Sequence, residues 1–205
     1  MKITWIGHDC FMVESGGCTI VVDPFEAGGI PGYKEYHLDA DMVLVSHEHF
    51  DHNYRDAVTL SGRDCPFKVE IIEAFHDNCG GKELGPNKIT IIDDGSFRVG
   101  HFGDLGHLLD ETQIQAIGHL DAAMINVGGF KGSLAPLADQ VVRQLRPTWV
   151  FPAHFKTETF GFDGSGTLQE FLDLQQNGVH VPGSSLELTK EEGTHTVILD
   201  GPVTI

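Results

Sequence analysis

Short runs of apolar residues dominate the first half of the chain and predict β-strands. The runs end at glycine, proline or aspartate, and Gly16-Gly17 separates two of them as the turn of a hairpin. A long polar loop over 26–38 follows this hairpin. The predicted strands cover 2–6, 11–14, 18–22, 42–45, 69–73, 88–92, 97–102, 121–126 and 148–151, with two more inside 185–199.

Helical spacing of apolar residues follows in four segments: 53–60, 110–118, 134–145 and 167–176. Thr167 and Glu170 have capping-box spacing, and Pro147 ends the helix over 134–145. Mixed strands followed by alternating helices and strands predict an α/β fold of layered sheets with outer helices. No repeat, low-complexity segment or change in composition divides the chain, so we expect one domain over 1–205.

Composition excludes several classes of protein. Of the 205 residues, 40% are hydrophobic and 21% are charged, which is typical of a globular chain and not of a disordered one. Thirteen basic against 30 acidic residues give a net charge of −17, without the basic footprint that nucleic acid requires. No apolar run approaches the ~20 residues of a membrane span, so we expect no membrane partner.

The cysteines, Cys10, Cys18, Cys65 and Cys79, form no Cys-x-x-Cys pair. The chain is too long and too poor in cysteine for a disulfide scaffold, and its N-terminus lacks the apolar core and cleavage site of a signal peptide. We therefore expect a cytoplasmic protein with reduced thiols.

The strongest chemical signal is Ser-His-Glu-His-Phe-Asp-His at 46–52, directly after a buried apolar strand. Its imidazole and carboxylate groups suit zinc, iron or manganese. His47 and His49 point the same way in an extended loop, whereas Asp51 and His52 lie where the chain turns into a predicted helix. This spacing favours two metals side by side over a surface loop that is rich in histidine by chance.

The pattern His47-x-His49-x-Asp51-His52 resembles the signature of the metallo-β-lactamase superfamily. The superfamily's other motifs are matched in order by Val-Asp-Pro at 22–24, Gly-Asp-Leu-Gly-His at 103–107 and Pro-Ala-His-Phe at 152–155. Trp-Ile-Gly-His-Asp-Cys-Phe at 5–11 and the segment 121–129 are similar to short metal-dependent hydrolases grouped with ascorbate-6-phosphate lactonase. The chain departs from those relatives at Asn126, where they tend to have proline.

The resemblance implies a four-layer αβ/βα sandwich, two mixed sheets packed face to face with outer helices, and a site for two divalent ions. Zinc is the default, and manganese or iron suit the same ligands. His76 follows an apolar run and lies at a strand end, whereas its competitor His101 lies inside a predicted strand. The implied ligands are His47, His49 and His76 for one ion, Asp51, His52 and His154 for the other, and Asp104 as the bridge.

Other polar and aromatic groups border these segments. His8 and His107 could each act on substrate or protonate a leaving group, or could instead hydrogen-bond the metal ligands. Asp23 precedes proline and is expected to shape the ligand loop rather than contact metal. Aromatic residues of 26–38 and 156–166, with Phe25, could wall a substrate or simply pack.

A dinuclear site implies metal-assisted hydrolysis, because the ions lower the pKa of bound water and supply hydroxide at neutral pH. Asp51 and Asp104 would orient this nucleophile and carry its proton. The expected substrate is a small ester, lactone or phosphoester.

Three alternatives stay open at this point. A phosphodiesterase would act on a small cyclic nucleotide rather than on RNA, given the acidic charge. A mononuclear iron oxygenase or sulfur-processing enzyme of the same fold would leave Asp51 and His52 outside the coordination sphere. A metal-binding module without activity would lack an accessible cleft. The sequence leaves the substrate, the metal and the oligomeric state, including a homo-oligomer, undetermined.

Overall fold

The computed structural model describes residues 1–130 and 132–204, and within them it contains fourteen strands and three α-helices. The helices are α1 (Glu111–Ile117), α2 (Ala135–Leu145) and α3 (Leu168–Gln175). The strands are β1 (Lys2–Gly7), β2 (Cys10–Ser15), β3 (Cys18–Val22), β4 (Leu38–Ala40), β5 (Met42–Leu44), β6 (Val58–Leu60), β7 (Lys68–Phe75), β8 (Pro86–Asp93), β9 (Arg98–His101), β10 (Ala122–Asn126), β11 (Trp149–Ala153), β12 (Gly178–Val181), β13 (Ser185–Glu187) and β14 (His195–Leu199).

Two mixed sheets organise these strands. The first has the order β13-β1-β2-β3-β5 and is antiparallel except for the parallel pair β3/β5. The second has the order β12-β14-β11-β10-β9-β8-β7, in which β12 to β9 are parallel and β8 is antiparallel to both its neighbours. A small parallel pair, β4/β6, lies apart from them.

The hairpin of β2 and β3 forms as predicted. Gly16 and Gly17 both have positive φ angles, 55° and 81°, in a two-residue turn that places Ser15 opposite Cys18. This register directs alternate side chains of both strands inward, so that Phe11, Val13 and Ile20 are buried. The hairpin thereby delivers the chain to Asp23 at the end of β3.

Aromatic side chains fill the space between the two sheets. Phe11 of β2 meets Phe151 of β11 edge to face, with ring centroids 6.2 Å apart, and both rings are buried. On the other face of the second sheet, α2 packs against β10 and buries Ala138 and Val141. The predicted arrangement of two mixed sheets with outer helices is confirmed.

The predicted helix over 53–60 is wrong. A single 3₁₀ turn, Arg55–Ala57, leads directly into β6, which pairs with β4. The β-branched side chains of Val58 and Thr59 fit a strand better than a helix. Together with β12, these two short strands are the elements that hydrophobic periodicity did not predict, because segments of three or four residues carry too little pattern.

The expectation of reduced thiols is wrong for one pair of cysteines. Cys18 of β3 and Cys65 form a disulfide, with Cα atoms 5.5 Å apart, whereas Cys10 and Cys79 are free. The bridge closes a loop that contains the whole segment 46–52. Because disulfides are rare in reducing compartments, this pairing weighs against the cytoplasmic location, which stays a prediction. No helix among the described residues is long and apolar enough to cross a membrane.

Candidate metal centre

One edge of the molecule collects the ends of several strands. Strands β9, β10 and β11 run parallel, so their carboxyl ends meet at the same edge of the second sheet. From the other sheet, β3 and β5 end beside them. The residues that follow these strands include nearly all the predicted ligands, which explains why side chains so distant in sequence converge.

The first cluster contains His47, His49, His76 and Asp104, whose ligand atoms all lie within 4.8 Å of one another. His47 Nε2 is 3.0 Å from His49 Nδ1, and His76 Nε2 is 2.7 Å from Asp104 Oδ2. His47 and Asp104 are buried, and His49 opens to solvent. Three imidazoles and a carboxylate at this spacing form a donor set suited to a divalent transition metal.

The second cluster contains Asp51, His52 and His154, and the structure adds His8 to them. Asp51 Oδ2 is 3.2 Å from His8 Nε2 and 3.7 Å from Nε2 of both His52 and His154. All four side chains are buried. The Nε2 atoms of His52 and His154 form no hydrogen bond with the described residues. Buried polar atoms without partners are costly, so these two nitrogens fit a metal ion as their missing partner.

Asp104 lies between the two clusters. Its Oδ2 is 2.7 Å from His76 Nε2 on one side and 3.3 Å from His52 Nε2 on the other, and its Oδ1 is 3.7 Å from His154 Nε2. A single carboxylate thus contacts ligands of both clusters. Asp104 is therefore the carboxylate that joins the two clusters.

Asp23 holds the ligand loop from behind. Its carboxylate accepts hydrogen bonds from the Ser46 backbone N–H at 2.6 Å and from the Ser46 hydroxyl at 2.5 Å. The same carboxylate accepts a third bond from His52 Nδ1 at 2.8 Å, which orients the imidazole so that its Nε2 atom faces Asp104. Asp23 therefore holds the ligand loop in place, which agrees with the role predicted for it. Its φ of 49° adds backbone strain at this point.

Asn126 contacts the site although it was noted only as a departure from the resembling proteins. Its Nδ2 donates to Asp104 Oδ1 at 2.5 Å, and its Oδ1 accepts from the Gly129 backbone N–H at 2.8 Å. Proline at this position has no side-chain donor and could not make the first bond. Asparagine at position 126 therefore provides Asp104 with a hydrogen-bond donor that proline would lack.

His8 lies behind Asp51, in a tight backbone clasp. Its carbonyl accepts hydrogen bonds from Trp5 Nε1 at 3.0 Å and from the His154 backbone N–H at 3.1 Å. Its φ of 51° turns the chain between β1 and β2, and its ring lies 3.8 Å from the His154 ring. His8 is 1% exposed, and its Nε2 lies 3.2 Å from Asp51 Oδ2, so its contact with the predicted metal ligands is the one that the structure describes.

His107 is not brought to either cluster. Its Nε2 accepts from the Phe75 backbone N–H at 3.1 Å, and its Nδ1 lies 2.8 Å from the Leu108 carbonyl. Both ring nitrogens are therefore engaged by backbone groups, and the predicted role as a proton donor to substrate has no geometry to support it. His101 is buried inside β9 and its Nε2 donates to the Asp9 carbonyl, 2.8 Å away, so His76 and not His101 reaches the first cluster.

We expect the His8→Asn variant to bind metal about 10–100-fold more weakly, the range typical of lost outer contacts to ligands. Asparagine tolerates the left-handed backbone of position 8 but removes the imidazole beside Asp51. Elemental analysis after dialysis against limiting metal measures the loss, with His107→Ala as the control that retains both ions. Equal metal content in His8→Asn and wild type would show that His8 does not contribute to metal binding.

Burial and mutual contact set the charges of these groups. Burial, reinforced by the charge of His52, lowers the pKa of His47 to about 3, so its imidazole is neutral at pH 7. Burial raises the pKa of Asp51 and of Asp104, but the surrounding histidines outweigh it and hold both carboxyls ionised. Burial lowers the pKa of His52, yet Asp104 and Asp23 more than compensate and raise it well above its usual value.

Metal binding to the metal-free protein is expected to release a proton at pH 7. His52 is protonated there because its pKa is raised, and coordination through Nε2 requires the lone pair. Affinity should therefore increase with pH, and proton release should decline as the pH rises through the raised pKa of His52. Calorimetric titration with zinc in buffers of different ionisation enthalpy counts the protons. A heat independent of the buffer would contradict this protonation state.

A cleft of about 560 Å³ opens onto the metal centre. Asp51, His76 and Asp104 contribute to its floor, and Phe50 and Phe130 contribute to its walls. Its volume is within the range typical of small-molecule sites. Two of the aromatic residues considered as walls do not line the cleft. Phe25 and Tyr33 are buried beside the His8 ring, at centroid distances of 6.0 and 6.3 Å, and lie outside the cleft lining.

Comparison with known proteins defines the class. A family model for the β-lactamase superfamily domain matches residues 2–154. A solved protein from Thermotoga maritima, described as a Zn-dependent hydrolase of the metallo-β-lactamase superfamily, superposes with a TM-score of 0.72 at 30% identity over 97% of both chains. The chain belongs to the metallo-β-lactamase superfamily, as its motifs predicted, and this confirms the expected fold class.

Two relatives in sequence are described as metal-dependent hydrolases. A UPF0173 metal-dependent hydrolase of Desulforamulus reducens is 26% identical over 77% of this chain and 85% of its own length. Another, of Pelotomaculum thermopropionicum, is 29% identical over the same shares. The prediction of a metal-dependent hydrolase is therefore confirmed as a class.

Proposed function

We propose that this protein is a dinuclear hydrolase, with zinc as its metal, that cleaves a small ester, lactone or phosphoester. The observation that carries the proposal is the position of Asp104, whose carboxylate contacts ligands of both clusters at the floor of an open cleft. His47, His49 and His76 would hold one ion, Asp51, His52 and His154 the other, and Asp104 would lie between them. When bound, two divalent cations supply Lewis acidity and acidify water in their coordination sphere.

The chain's own groups position the reactants. Asp51 and Asp104 line the cleft as ionised carboxylates, so each can accept a hydrogen bond from a water molecule that enters the cleft. His8 and Asn126 act through these carboxylates, because His8 contacts Asp51 and Asn126 contacts Asp104. This support restricts both carboxylates to one orientation, which is the condition for efficient proton handling.

Hydrolysis of an ester at this site consumes one water molecule. The oxygen of water bonds to the acyl carbon, and the bond between that carbon and the alcohol oxygen breaks. One proton of the water ends on the leaving alcohol, and the other is released with the carboxylate product. A lactone follows the same course and yields one hydroxy acid.

The alternatives differ in what they require of the second cluster and the cleft. A mononuclear iron enzyme would leave Asp51 and His52 without a ligand role. Both side chains nevertheless lie beside His154, and the Nε2 atoms of His52 and His154 form no hydrogen bond with the described residues. A module without activity would not need the open cleft. Phosphodiester cleavage uses the same floor, so it is tested in the same assay as ester cleavage.

The test is a substrate panel with the zinc-loaded protein and with its His49→Ala variant. The panel contains p-nitrophenyl acetate, γ-butyrolactone, p-nitrophenyl phosphate and bis(p-nitrophenyl) phosphate. We expect the wild type to cleave at least one of these compounds and the His49→Ala variant to cleave none of them. Equal rates for both proteins on every substrate would overturn the proposal.

A further inference from the structure

Large apolar side chains stand exposed around the mouth of the cleft. Phe50 is 55% exposed, Leu84 is 49% exposed and Phe130 is 51% exposed, and all three line the cleft. Exposed apolar side chains scattered over a surface need no explanation, but a group that surrounds one cleft marks a binding surface. Leu134 completes this apolar wall.

Phe162 connects the wall to the metal centre. Its ring is 6.2 Å from the Phe50 ring and 5.4 Å from the Phe130 ring. It also approaches His8 at 5.6 Å and His154 at 6.3 Å. The apolar wall therefore extends to the ligand histidines, and a molecule in contact with the wall has its reacting group next to the metal centre.

The charged side chains along the cleft are acidic. Glu48 lies at the rim, where its carboxylate accepts a hydrogen bond from Arg55 Nη2 at 3.0 Å and another from Asn53 Nδ2 at 3.1 Å. Asp51 and Asp104 lie on the floor. The described part of the lining contains no lysine or arginine. Arg55 offsets the charge of Glu48 at the rim, so the exposed apolar side chains dominate the described part of the wall and favour a neutral apolar group on the substrate.

We infer that the cleft takes a neutral ester or lactone whose acyl portion is an apolar chain or ring of several carbons. That portion packs on Phe50, Leu84 and Phe130, and the carbonyl group lies over the floor between the carboxylates of Asp51 and Asp104. The inference rests on the proposed hydrolase function and narrows its substrate class, because a phosphorylated or carboxylated tail would bury no apolar surface on this wall.

A homologous ester series tests this directly. For p-nitrophenyl acetate, butanoate and hexanoate, kcat/KM should rise by about fourfold per added methylene, the amount that burial of one CH₂ provides. An ester of the same length as the hexanoate but ending in a carboxylate should be cleaved at least about tenfold more slowly than the hexanoate. The His49→Ala variant gives the background rate.

Variants of the wall locate the effect. Leu84→Ala should reduce the increase in kcat/KM along the ester series, whereas Leu174→Ala, which removes a leucine side chain that is 39% exposed on α3, should leave that increase unchanged. Phe50→Ala should reduce it too, and because Phe50 lies between two ligands, its metal content is measured alongside. An increase of kcat/KM with acyl length that occurs only in wild type and Leu174→Ala supports the inference.

Two results would overturn it, and they are distinguishable. A flat series, or preference for the ester with the charged tail, removes the apolar substrate class and leaves the hydrolase proposal intact. Cleavage of no member of the series or of the earlier panel removes both.

Discussion

Replacement of Asp104 by asparagine is expected to lower kcat/KM by about 10³-fold or more and to reduce the metal content below two ions per chain. The change keeps the size of the side chain but removes the charge that contacts His52 and His76. It also leaves the Asn126 amide facing another amide in place of a carboxylate. Steady-state kinetics on a cleaved substrate and elemental analysis of the same preparation measure both effects.

Asp121→Asn is the matched control for this experiment. Asp121 is also buried, and its carboxylate accepts from the Arg98 backbone N–H at 2.8 Å and from Lys190 Nζ at 2.6 Å. It lies outside both clusters. This variant should lose stability but keep its metals. If Asp104→Asn retained both ions and its activity, Asp104 would not be the bridging carboxylate.

Metal removal is expected to lower the melting temperature by about 10 °C. Ligand present at about 10³ times its Kd stabilises a fold by about 4 kcal/mol, and 1 kcal/mol shifts the melting temperature of a chain this long by about 2–4 °C. Without metal, the buried Nε2 atom of His154 has no hydrogen-bond partner to offset its desolvation.

Thermal melts before and after chelation, followed by addition of zinc, measure this shift. The His49→Ala variant should show a smaller shift, because it retains fewer ions before chelation. Identical melting temperatures for the metal-loaded and chelated wild type would contradict a contribution of the metals to folding.

The sequence predicted the part of the site that rests on local spacing. His47, His49, Asp51 and His52 lie in one short loop, and their alternation after a buried strand indicated two metal positions. The remaining predicted ligands, His76, Asp104 and His154, each follow a strand, and the structure brings them to the same loop. Strand ends were thus a usable signal, because parallel strands end at one edge of a sheet.

Contacts between distant segments were not predictable in this way. The place of His8 depends on its carbonyl accepting a bond from the His154 backbone, a contact across 146 positions that no local pattern records. The role of Asn126 depends on the neighbouring strand β9 leading to Asp104. His107, by contrast, was considered for its closeness to Asp104 in sequence, but its ring turns to the backbone of β7.

The aromatic residues show the same limit. Composition alone could not separate Phe25 and Tyr33, which pack behind His8, from Phe162, which contacts the cleft wall. The pairing of Cys18 with Cys65 likewise follows from the path of the chain around the small β4/β6 sheet and not from cysteine spacing.

Elemental analysis of protein purified without added metal tests the proposal that each chain binds two metal ions through ligands that meet at Asp104. We expect close to two zinc or other divalent ions per chain in the wild type. A single iron per chain would contradict it, because Asp51, His52 and His154 would then surround no ion and the mononuclear alternative would apply.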